Sequence, residues 1–140
     1  MNYVVGFVFD ESMNRIALIE KNRPDWQKGK WNGVGGKIEN DETPASAMIR
    51  ECEEEFGILV EHWDQLTVLK FDNNAVVHIF KTVVENELFD NIHQTTDEPV
   101  IFTTVAGILR EDRPVIDNLR WLVPMCVAEK ANIPEIKLYS

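Results

Sequence analysis

The sequence predicts an α/β fold, with a mixed β-sheet held between helices in an α/β/α layer arrangement. Three observations lead there. Short apolar, strand-like runs recur along the chain, residues 43–57 carry helix signals at both ends, and residues 116–129 form a second amphipathic segment. No repeat, low-complexity stretch or linker interrupts residues 1–140, so one domain is expected.

In chain order, Val4 to Phe9 is a strand-like apolar run, Asp10-Glu11-Ser12-Met13-Asn14 a turn, and Arg15 to Glu20 a second strand. Asn22 to Lys30 is a polar loop with Pro24 and Trp26, and Trp31 to Gly36 is a short extended stretch ending in Gly35-Gly36. A helix follows: Thr43 suits the N-cap, Pro44 the first helical position and Gly57 the C-terminal stop. Leu66 to Phe71 and Ala75 to Val84 flank Asp72-Asn73-Asn74, a hairpin signal. Residues 85 to 98 read as a long acidic loop, and Val100 to Thr104 as another strand. Ile116 to Glu129 is amphipathic through Leu119, Leu122, Val123, Cys126 and Val127, with Pro124 inside, where it kinks the helix or moves its start. The last ten residues receive no assignment.

Fourteen basic and twenty-four acidic side chains give a net charge of -10. Phosphate polymers are bound through Lys and Arg, so no nucleic-acid polymer is expected as partner. A divalent cation suits this balance better and can bring in a phosphate substrate. The N-terminus lacks a basic segment ahead of its apolar run, and no apolar stretch approaches the length of a membrane span. A cytoplasmic location is therefore expected. The two cysteines fall on separate predicted helices and read as reduced, buried thiols.

Residues 36 to 58, GKIENDETPASAMIRECEEEFGI, carry the strongest signal. Gly36 is followed at fixed spacing by Glu42, Arg50-Glu51, Cys52, Glu54-Glu55, Gly57 and Ile58. This resembles the Nudix box, GX5EX7REUXEEXGU with U a bulky apolar residue, and only Cys52 is a soft match. A chance match in a chain of this length has a probability of about one in ten million. At about 100° per residue, Ala45, Met48, Ile49, Cys52 and Phe56 share the core side of the helix. Glu51, Glu54 and Glu55 lie on the opposite flank as neighbours. Three ionised carboxylates this close repel one another, and negative charge is disfavoured near a helix C-terminus. A hard cation with oxygen ligands removes that penalty, and Mg2+ fits because it takes one or two carboxylates and completes its shell with water and phosphate.

The resemblance implies a Nudix-type sandwich, Mg2+ as cofactor with Mn2+ able to substitute, and hydrolysis of a nucleoside diphosphate linked to another moiety. It implies the Gly35 carbonyl, Glu51 and Glu55 as metal ligands, Glu54 as a further ligand, and Arg50 paired with Glu42 to orient the catalytic acids. Many members take a general base or extra ligand from an acid before a late strand. Glu98 in Asp97-Glu98-Pro99 matches that context, with Asp97 the alternative.

Upstream, KGKWNGVGGKIE is similar to the oxidised-purine nucleoside triphosphatases of the MutT type. Carried over by position, Asn32 hydrogen-bonds the base, Trp121 lies beside it, and Asp117 and Asn118 read its edge. Arg23, Lys37 and Lys21 meet phosphates. Asn118 stands where that group has an aspartate and Val115 where it has a further tryptophan, which puts the oxidised purine in question. The leading expectation is a nucleoside triphosphate cleaved to monophosphate and pyrophosphate by a monomer or homodimer. ADP-ribose, a nucleotide sugar or a capped RNA as substrate, and a non-catalytic nucleotide-binding domain, stay open as alternatives.

Overall fold

The most apolar strand of the chain takes the centre of its sheet. Val4, Phe7, Val8 and Phe9 are fully buried and fall on both faces of β1 (Asn2–Phe9), as a strand covered on two sides requires. The structure is a computed structural model that describes residues 1–128 and 133–139. Among them are β2 (Arg15–Glu20), β3 (Trp31–Asn32), β4 (Val34–Lys37), β5 (Asp64–Phe71), β6 (Val76–Val83), β7 (Val100–Thr104) and β8 (Ile136–Leu138). With β1 they form one mixed sheet of eight strands.

β1 runs parallel to β6 over its whole length, from Asn2↔Val76 to Phe9↔Val83. Its other edge is divided. β4 takes Tyr3 to Gly6, while β2 takes Val8 and Phe9, both antiparallel. β2 continues onto β3 through Ile19↔Asn32 and pairs on its far side with β7. β5 joins β6 antiparallel and β8 parallel. The divided edge brings β3, β4 and the loop between β2 and β3 together at one end of the sheet.

The helices are α1 (Pro44–Phe56), α2 (Asn86–Asp90), α3 (Val105–Ile108) and α4 (Leu119–Val127). α1 starts on a reciprocal cap. The Ser46 N–H donates to Thr43 Oγ1 at 3.1 Å, and the Thr43 N–H donates to Ser46 Oγ at 2.9 Å. It stops at Gly57, whose φ of 71° is open to glycine and costly for most residues. Ala47, Met48, Cys52 and Phe56 pack with Val4, Val8, Ala17 and Ile19 in one core. The larger of these side chains are worth about 1.5–3 kcal/mol each in burial. The buried face is rotated from the expected one: Ala47 and Glu55 are inside, and Ala45 is exposed.

α4 covers the opposite face through Leu119, Leu122, Val123 and Cys126, with Phe7, Phe9, Ile16 and Leu18 beneath. It begins at Leu119 rather than Ile116, and Pro124 lies within it. Val127, expected in the core, is largely exposed. Glu129, the expected last residue of this helix, lies outside the described residues. Residues 85–98 are not a plain loop, since they contain α2. Its Phe89 is fully buried, edge-on to Phe102 at 5.6 Å and capped by the Arg15 guanidinium at 4.7 Å. Cys52 and Cys126 are free and buried, and burial pushes both thiols up to about 12, so neither is a nucleophile at neutral pH.

Candidate active site

α1 places its acidic residues against the Gly35-Gly36 end of β4, and the two elements are in close contact. The closeness depends on absent side chains. A Cβ on Gly36 would lie 2.7 Å from the Glu51 carboxylate, and one on Gly35 would strike the Val4 carbonyl oxygen at 1.9 Å. Glu55 is turned inward and only 8% exposed. Its Oε1 accepts from the Gly35 N–H at 3.2 Å. Burial pushes its carboxyl up to about 8, contact with the Glu51 carboxylate adds to the rise, and Lys21 opposes it.

The three carboxylates expected together on the flank opposite the core thus have separate environments. Glu51 and Glu55 touch each other in a partly dry pocket, while Glu54 is outside, its side chain 58% exposed. Arg50 reaches across them. Its Nε and Nη2 hold both oxygens of Glu42 at 2.7 and 2.9 Å, and Nη1 donates to Glu51 at 2.7 Å and Glu54 at 3.2 Å. Nη2 also donates to the Lys37 carbonyl at 3.1 Å, tying β4 to the helix. This fork holds the Glu42 carboxyl down at about 2.

Glu98 comes from the loop before β7 and is linked to the Glu51–Glu55 pair through Lys21. It is 6% exposed, accepts from the Asn22 backbone N–H at 2.7 Å, and pairs with Lys21 Nζ at 3.4 Å. The Lys21 charge therefore acts on Glu98 and Glu55 together. Asp97 points outward, where Arg23 holds it at 2.6 Å and lowers its carboxyl. In this arrangement Lys21 and Arg23, expected at phosphates, are engaged by acids, and Lys37 is exposed.

The expected base-binding residues come from β3, which carries Asn32, from the segment before α4, which carries Asp117 and Asn118, and from α4, which carries Trp121. Asn32 pairs with Ile19, whose side chain lies in the α1-side core, whereas Trp121 packs on the α4-side core. Residues 114–116 do dock on β3, through Trp31 N–H to the Pro114 carbonyl at 2.7 Å and Ile116 N–H to the Trp31 carbonyl at 3.0 Å. The Asp117 side chain, however, is 99% exposed and faces Arg120 at 3.5 Å. Asn118 sits at the N-cap of α4 without a side-chain cap bond. Sequence reasoning missed Asn22 and Gln27, polar loop residues that become visible as partners of Glu98 and Asn32 only once the chain is folded.

Among the described residues, no three carboxylate, imidazole or thiolate side chains converge on one point. Two do, Glu51 and Glu55, beside a glycine backbone. That donor set fits Mg2+, which takes one or two carboxylates and fills its other positions with water and phosphate.

The chain matches the NUDIX domain over residues 2–131. It is 32% identical over 72 residues to the 8-oxo-dGTP diphosphatase of Escherichia coli, covering 51% of this chain and 55% of that protein. It is 40% identical over 72 residues to the oxidized purine nucleoside triphosphate hydrolase of Danio rerio, covering 48% of this chain and 46% of that one. The matched region is thus about half the length of these curated relatives. A MutT protein from Bacillus halodurans superimposes with a TM-score of 0.74 at 20% identity, over 99% of this chain and 88% of its own, a likeness of fold. With the Glu51–Glu55 pair set against Gly35-Gly36 on this fold, the chain belongs to the NUDIX domain family.

Proposed function

We propose that this protein is a Mg2+-dependent hydrolase of nucleoside triphosphates that releases a monophosphate and pyrophosphate, with oxidised purine deoxynucleotides first among its substrates. The observation that carries the reading is the contact between the Glu51 and Glu55 carboxyl groups beside the Gly35 amide, with Lys21 as the nearby cation. A protein gains no stability from such a pair, so its use lies in holding positive charge. The oxidised purine is supported by the names of the Escherichia coli and Danio rerio relatives.

Gly35, Glu51 and Glu55 would hold the cation, with Glu54 and Glu98 available on either side. When bound it supplies neutralisation of phosphate oxygens and a more acidic water for in-line attack at phosphorus. Glu98, paired with Lys21, would accept the water proton. Lys37 and Arg23 would meet the outer phosphates, Arg23 on release from Asp97. Asn32 hydrogen-bonds the base, and Trp121, Asp117 and Asn118 border it. No helix among the described residues is long and apolar enough to cross a membrane, and a small nucleotide is the partner proposed, in a cytoplasmic monomer or homodimer.

The test is a panel of canonical and oxidised nucleoside triphosphates, ADP-ribose, nucleotide sugars and dinucleoside polyphosphates with Mg2+, with products identified by mass. Pyrophosphate and monophosphate from a triphosphate support the proposal, and turnover of another class alone ends it. Within the preferred class, Asn32→Ala should raise KM for the favoured base roughly tenfold and leave other bases nearly unaffected. Trp121→Ala should do the same and also lower the melting temperature, because its indole packs on the α4-side core. An equal effect on all bases would remove both residues from base recognition.

A further inference from the structure

We infer that Gln27 is a positioning residue for base recognition, acting by fixing the orientation of the Asn32 carboxamide. The inference rests on the base-reading role given to Asn32 above. An asparagine amide can present its oxygen or its nitrogen to a ligand, and the two orientations select opposite patterns of donor and acceptor. Here both ends of the amide are held. Asn32 Oδ1 accepts from the Gly33 backbone N–H at 2.8 Å, and a backbone N–H can only donate. Asn32 Nδ2 donates to Gln27 Oε1 at 3.3 Å. A flipped amide would set its NH2 against the Gly33 N–H, a repulsive contact in place of a bond, and the bond to Gln27 holds the other end of the carboxamide in place.

Gln27 can do this because its loop is closed. Lys21 and Lys30 tie the two ends, with the Lys21 N–H donating to the Lys30 carbonyl at 2.8 Å. The Gly29 N–H returns to the Lys21 carbonyl at 2.8 Å, and Gly29 has a φ of 80° at that return. Gln27 itself is held on both sides, its N–H on the Pro24 carbonyl at 2.9 Å and its carbonyl accepting from Lys30 at 2.8 Å. Next to it Trp26 is 65% exposed, so the loop is held by its backbone and by polar contacts rather than by burial of its largest side chain.

The experiment measures kcat/KM for the preferred nucleotide and for the same nucleotide with other bases, in wild type, Gln27→Met, Gln27→Glu and Asn32→Ala. Methionine keeps the length of glutamine and removes the acceptor, while glutamate keeps an acceptor for Asn32. Gln27→Met is expected to lower the selectivity ratio roughly three- to tenfold, with the loss in KM rather than kcat. Gln27→Glu retains most of the ratio. The double variant Gln27→Met/Asn32→Ala loses no more than Asn32→Ala alone, because Gln27 acts through Asn32. Melting temperatures within a few degrees of wild type show that the loop still folds. A selective wild type whose ratio survives in Gln27→Met, or falls equally in Gln27→Glu, overturns this inference alone. A wild type that treats every base alike overturns the base-reading role of Asn32, and this inference with it.

Discussion

Replacing Glu55 with glutamine is expected to cut turnover by roughly three orders of magnitude and to raise the stability of the metal-free protein. The two effects share one cause. Glu55 is buried against Glu51 beside the Gly35 amide. Ionising it there puts a second negative charge into a partly dry pocket, which the isolated protein resists and a bound cation reverses. The pH dependence follows in sign. A carboxyl raised from 4.5 to about 8 in the folded chain contributes stability that is present in full below pH 4.5. That contribution is lost as pH rises toward about 8, so thermal unfolding in chelator should show wild type weakening across this window. Glu55→Gln should lack that limb, and added Mg2+ should stabilise wild type more than the variant. Glu54→Gln should lose turnover to a similar degree but shift stability by less than about 1 kcal/mol, since its exposed pair with Arg50 is worth little. Wild-type turnover in both variants would remove these carboxylates from catalysis.

Much of the site was legible in the sequence because its residues lie close together on regular elements. Thr43, Pro44 and Gly57 set α1 at residues 44–56, and helix periodicity then put Glu51, Glu54 and Glu55 within one turn of one another. Periodicity did not say how far the helix rolls on the sheet. The close approach of β4 at its two glycines turns the helix so that Ala47 and Glu55 go inside and Ala45 outside, a result of tertiary packing that no local pattern carries. The loop acids were harder still. Asp97 and Glu98 are equivalent as letters, and only the Asn22 amide and Lys21, some 76 residues away in sequence, separate a buried acid from an exposed one. The helix Asn86–Asp90 was missed for a related reason. Its five residues are polar apart from Leu88 and Phe89, and its anchor is the fit of Phe89 against Phe102 and Arg15 rather than any helical repeat.

Arg50→Ala should be the most damaging substitution to stability at this site, costing roughly 2 kcal/mol together with a loss of activity of about a hundredfold. Five polar contacts converge on the guanidinium, from both oxygens of Glu42, from Glu51 and Glu54, and from the Lys37 carbonyl. Without it three carboxylates face one another unscreened, and β4 loses its link to the helix that aims Glu51 and Glu55. Arg50→Lys should rescue little, because an ammonium cannot hold Glu42 through two parallel bonds while also reaching Glu51. Acid titration separates this residue from Glu55. The Glu42 carboxyl is depressed to about 2 by the Arg50 fork and then by the Glu39 amide, so its contribution is present above pH 4.5 and lost as pH falls toward about 2. Urea unfolding from pH 7 down to pH 2 should show that acid limb in wild type and in Glu55→Gln, and lose most of it in Arg50→Ala. An unchanged acid limb in Arg50→Ala would mean that the Glu39 amide, not the guanidinium, holds Glu42 ionised, and the loss of activity would then have to come from the contacts to Glu51 and Glu54 alone.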